Sequence, residues 1–260
     1  MSLDPEKCNP PEVRVVVTRA LILKKLYMKA VATPPPDYLA QCMKVWSKED
    51  RQSFIGKMQG LYTARIAKLR DIGLWDLLDG KERAFLEAGP MQLTMQQVVD
   101  ANWLGESIVC LLWAVGYIDE IPKYDHQVAR EILKQFPKDP TNVPRLRPSA
   151  DIERQRQVAE TWHWRARTRQ LLESGDMPNQ LPGGMTLEQM LENVSANASE
   201  AGDFASPIGG DFPAFGKPYR DLTPKEFSIA TSIAMERHRA LNWLCGYAPG
   251  NRWTETPTNT

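Results

Sequence analysis

Residues 94–116 read TMQQVVDANWLGESIVCLLWAVG. Thr94 with Gln97 is a capping box: the threonine oxygen and the glutamine side chain satisfy amides that a helix start leaves bare. From Ser107 to Val115 the residues are apolar nearly all round. A helix without a polar face has nothing to offer water, so this one belongs at the centre of the molecule. Gly116 supplies a left-handed stop. The apolar run, Ile108 to Ile118, is too short for a bilayer, which takes about 20 residues.

Helical signals continue on both sides of this segment. Pro10 and Pro11 precede a first helix that ends before Pro34-Pro35-Pro36, and residues 38–46 form a short one. Ser47 with Asp50 then opens a long helix on which Phe54, Met58, Leu61, Tyr62, Ile66 and Leu69 make one apolar stripe. Residues 81–88 form another short helix, and residues 125–136 an amphipathic one. Pro137, Pro140, Pro144 and Pro148 make a stiff connection, so a lobe boundary is expected at 137–149. Ser149 starts a long helix to Ser174, and Thr186 with Gln189 caps the next. Residues 201–221 lack periodicity and read as a long loop, a feature that in compact domains is often functional. Thr223-Pro224-Lys225-Glu226 begins the last helix, which runs to about Gly246. These signals predict an all-α, multi-helix globular bundle in two packed lobes, with a long irregular loop before the last helix. They place one helical domain over 12–260, after a disordered or extended stretch at 1–11.

Composition narrows the function classes. Lys plus Arg equals Asp plus Glu, 32 against 32, which argues against nucleic acid or an anionic membrane as partner. Cys8, Cys42, Cys110 and Cys245 are far apart in the chain and contain no C-x-x-C pair, so neither a zinc site nor a disulfide framework is expected. The polar, proline-rich opening does not resemble a secretory leader. A cytoplasmic protein is the resulting expectation.

Three segments taken together carry a resemblance. Trp103-Leu104-Gly105-Glu106 leads into Leu111-Leu112-Trp113-Ala114-Val115-Gly116. Arg147-Pro148 with Ile152 is followed by Trp162-His163-Trp164-Arg165. The third is Glu236-Arg237-His238-Arg239-Ala240-Leu241-Asn242-Trp243-Leu244, trailed by Trp253 and Thr260. In that order they resemble the bacterial family catalogued as domain of unknown function 4272, over roughly residues 13–260. Leu104 stands where the family pattern has arginine, and Thr254 and Asn259 where it has acidic residues. The resemblance implies a fold and no activity.

On a helical wheel His163 shares a face with Ile152, Ala159, Trp162 and Ala166. His238 shares one with Ala230, Ala234, Leu241 and Cys245. Both imidazoles are therefore expected inside, and Glu106, at the start of the all-apolar segment, is expected to be paired because a buried charge cannot stay bare. Two readings stand. Glu106, His163 and His238 could converge as an acid–base or metal site, or they could lock three helices together, with Glu106 paired to Arg237 or a histidine. Glu160 and His163 match one Glu-x-x-His step of a di-iron bundle, but the sequence has no second copy, so no metal or cofactor is expected. Arg154, Arg165 and Arg169 fall in one quadrant of the long helix, either as an anion-binding patch or as complement to the acidic stretch between Asp176 and Asp211. With no complete catalytic set, the leading expectation is an interaction or small-ligand-binding domain with a groove near the join of its lobes. Glu106, His163, Arg165, Arg237 and His238 are its candidate ligand-binding residues, and a small molecule or a protein its partner. The alternative is an enzyme built on Glu106, His163 and His238.

Overall fold

The computed structural model describes residues 8–134, 145–177 and 182–260. Its helices are α1 (Val13–Ala32), α2 (Pro36–Val45), α3 (Lys48–Asp71), α4 (Gly80–Glu87), α5 (Met95–Ala114), α6 (Ser149–Ser174), α7 (Leu187–Glu200) and α8 (Pro224–Leu244). The capping boxes at Thr94, Thr186 and Thr223 all form, and Asp79 adds a fourth at α4. The protein is all-α apart from a two-residue hairpin, β1 (Pro213–Ala214) and β2 (Lys217–Pro218).

The centre is α5, buried at every position from Leu104 to Val115. Helix α1 packs on one side of it and α8 on the other, and α6 lies against the far side of α8. The four helices thus stack in the order α1–α5–α8–α6, and one continuous apolar core runs through them. Gly105 lets this centre close: a Cβ there would stand 3.1 Å from Val128 and 3.5 Å from the Tyr27 ring. Gly116, at φ +75°, ends α5 with Tyr117 N–H donating back to Leu112 O at 2.9 Å. No helix among the described residues is long and apolar enough to cross a membrane.

Two expectations about elements need correction. Residues 125–131 form turns and no helix, and only the 3₁₀ turn Ile132–Lys134 follows them; Phe136 lies outside the described residues. The reason is tertiary. Val128 N–H donates to the buried Glu106 carboxylate at 2.7 Å, and Asp125 accepts from Phe215 N–H, so the segment is held by α5 and the hairpin rather than by its own turns. The stripe on α3 is also only partly covered. Tyr62, which hydrogen-bonds Thr33, and Leu69 are buried, but Leu61 is 40% exposed, so only one edge of the stripe is covered. Most of the 137–149 connection lies outside the described residues, as do residues 1–7 of the N-terminal stretch.

Candidate functional site

Helix α6 organises the polar interior. Three of its arginines hold the segment between α7 and α8. Arg154 donates to Ala201 O and to the Asp203 carboxylate. Arg165 grips both oxygens of Asp211, at 2.7 and 2.8 Å, with neither side chain reaching water. Arg169 donates to Tyr219 O at 3.1 Å and Leu222 O at 3.0 Å. The arginine quadrant therefore serves internal complementarity, and its side chains shape a loop that has no periodicity to shape it. Burial alone would raise the Asp211 pKa, but Arg165 and the Phe212 and Arg220 amides outweigh it and hold the carboxyl below its usual range.

The same arrangement creates a cleft of about 480 Å³ between α6, residues 121–125 and residues 201–216. Its walls come from chain on both sides of the 137–149 connection. Trp162 forms the base, stacked on Tyr124 with centroids 5.1 Å apart and planes 3° from parallel, and met edge-on by Phe204 and Phe212. Both wall residues carry a buried polar atom with no protein partner, Trp162 Nε1 and Tyr124 OH. Lys123 and Arg154 are matched along the lining by Asp125 and Asp203. Burial raises the Asp203 pKa against the pull of Arg154.

Beside the cleft stands a pair that sequence reasoning passed over. Asp125 accepts from His126 Nδ1 at 2.5 Å, and its other oxygen accepts from Phe215 N–H at 2.9 Å. Phe215 sits at φ +53° in the hairpin turn, so this carboxylate fixes a strained corner of the loop. The His126 side chain is 72% exposed. A lone histidine on a polar stretch gave no signal, because its partner was a neighbour in a segment that read as helix.

The five expected residues fall into separate networks. Glu106 and Arg237 form a wholly buried ion pair, with the Arg237 Nε and Nη2 atoms 2.9 and 2.7 Å from one Glu106 oxygen and the Val128 amide on the other. Arg237 also reaches the Pro122 and Lys123 carbonyls and stacks over Tyr124 at 4.8 Å. Arg165 is occupied by Asp211. His163 and His238 meet each other, Nδ1 to Nδ1, at 3.0 Å. Among the described residues no hydrogen bond joins Glu106 to either imidazole.

The proton positions of the histidine pair follow from Asn242. Its Nδ2 donates to Pro257 O at 2.8 Å, so the same amine faces His238 Nε2 at 3.0 Å and makes that nitrogen an acceptor. His238 then carries its proton on Nδ1 and gives it to His163 Nδ1. Burial, with the charges of Arg167 and Arg239, pushes His163 down to about 4. Burial, with His163 and Arg156, pushes His238 to about 3. The pair is neutral at pH 7 and acts as a hydrogen-bonded bolt between α6 and α8.

No curated protein and no solved structure matches the chain. A family model does, over residues 3–190. The match ends before α8, so the segment from Glu236 to Leu244 lies outside the matched residues. It nevertheless takes in α1, α5 and α6 and most of the chain, and the protein belongs to the family described as Domain of unknown function (DUF4272).

Proposed function

We propose that this is a small-molecule-binding domain whose ligand occupies the cleft over Trp162. One observation carries the reading: a cleft of about 480 Å³, within the usual range for ligand sites, lined by the stacked ring pair Trp162–Tyr124. The stacked ring pair suits a planar group, and the balanced charges along the lining suit a neutral or zwitterionic molecule over a polyanion. The ligand class is thus a planar, neutral or zwitterionic ring compound.

A ligand-observed NMR screen of planar heteroaromatic amides and amino acids tests this. Gln155 lines the cleft and is only partly buried. Gln155→Trp should fill the cleft and weaken a hit by at least about tenfold while the melting temperature holds. Absence of any hit, or hits that bind the variant as well as the wild type, would count against the proposal.

A second reading, an acid–base enzyme, draws on Asp125 and His126. A carboxylate on Nδ1 orients an imidazole and leaves Nε2 for proton transfer. The cleft lining named above offers no serine or cysteine nucleophile, so this reading would need chemistry that only moves a proton.

A further inference from the structure

The sequence gives no reason to associate Cys8 with Cys245, which are 237 positions apart, yet their sulfurs lie 3.0 Å from each other. The approach is built into the backbone. Asn9 N–H donates to Cys245 O at 3.3 Å, and Gly246, at φ +80°, lets the N-terminal segment cross the end of α8. A Cβ at Gly246 would come within 2.8 Å of Asn9 O. Glu153, buried on α6, completes a cluster in which one carboxylate oxygen and both sulfurs lie within 4.8 Å of one another. Arg156 donates from Nε to both Glu153 oxygens, at 3.0 and 3.1 Å, and so fixes the carboxylate.

The two thiols are not equivalent. Cys8 is partly exposed and Cys245 is 1% exposed. The hydrogen-bonded contact with Cys245 lowers the Cys8 pKa, with Arg156 adding to it against burial and Glu153. That contact and burial raise the Cys245 pKa, and the neighbouring Glu153 carboxylate adds to the rise. A reachable thiol that ionises readily beside a buried one is the arrangement for attack followed by resolution. Cys42 and Cys110 are the internal contrast: neither has a second sulfur in hydrogen-bond contact among the described residues, and Cys110 is wholly buried.

We propose that Cys8 and Cys245 form a reversible dithiol–disulfide couple, oxidised by small disulfides of the glutathione type. The Cys8 thiolate attacks one sulfur of the oxidised glutathione. Its S–S bond breaks, one glutathione thiolate leaves, and a Cys8–glutathione mixed disulfide forms. Cys245 passes its proton to Glu153, attacks the Cys8 sulfur, and displaces the second glutathione thiolate. The two protein thiols lose two electrons and the small disulfide gains them. The protons of Cys8 and Cys245 end on the two glutathione thiols. The product ties the N-terminal segment covalently to the end of α8.

The full chain, reduced and then held in glutathione buffers of graded ratio, is quenched by alkylation and mapped by peptide mass spectrometry. The expected result is a Cys8–Cys245 linked peptide forming about tenfold or more faster than any modification of Cys42. Cys245→Ser should stop at the Cys8–glutathione mixed disulfide. Cys8→Ser, in a terminal segment outside the helices, should leave Cys245 reduced, with circular dichroism verifying its fold. Cys8 blocked by glutathione in the wild type and never transferred to Cys245 would overturn the proposal. So would a zinc titration in which one equivalent binds and protects both thiols, because the cluster would then be a metal site.

Discussion

At the scale of single residues, stability depends on charges that have no access to water. Glu106 with Arg237 and Asp211 with Arg165 are both such pairs. The worth of a pair like this differs sharply from the cost of halving it, since removing one partner leaves a desolvated charge behind. Arg165→Ala should therefore destabilise the protein by about 3–5 kcal/mol, read from urea denaturation. Asp211 anchors residues 201–222 through the Phe212 and Arg220 amides, so the variant should also lose hydrogen-exchange protection there before it does so in α5. A loss below about 1 kcal/mol would mean that the pair is offset by solvent reaching Asp211.

At the scale of elements, the join of α6 and α8 carries a pH signature. Both imidazoles have folded pKa values below the ordinary 6.5, at about 4 and about 3. Between those values and 6.5 the unfolded chain binds protons that the folded chain refuses, so stability must fall as pH drops below 6.5. Glu236 works the other way, since burial raises its pKa, and the comparison is best made against His163→Asn. The variant should show a slope of stability against pH that is smaller by up to about one proton between pH 6 and 4. Equal slopes would mean that His163 titrates normally. The inward placement of His238 was readable from its wheel position, and so were the helix starts, because capping is local chemistry. The Glu106–Arg237 pair was also readable, because a buried charge must find a partner; what escaped the sequence is the remote contacts that carry no such demand. The turn at residues 125–131 exists because Glu106 takes an amide, the hairpin corner because Asp125 takes another, and the sulfur pair because the N-terminal segment crosses α8. None of these leaves a periodic trace.

At the scale of the whole molecule, the family match and the packing divide the chain differently. The match stops at residue 190, yet α8 supplies the layer between α5 and α6. Without it the face of α5 that carries Glu106, Ser107 and Cys110 would lose its cover, and Ile233, Leu241 and Leu244 of α8, all fully buried in the full chain, would be gone from the core. Glu106 would also lose Arg237, its buried counter-charge. Each large apolar side chain left without its cover costs about 1.5–3 kcal/mol, so several of them together match the ordinary 5–15 kcal/mol stability of a domain. A fragment ending at residue 190 should therefore lack a cooperative urea transition and should bind a hydrophobic dye, while the full chain melts in one step. If the fragment melts cooperatively near the midpoint of the full chain, α8 is an accessory layer, and the core must close between α1, α5 and α6 by a packing other than the one described.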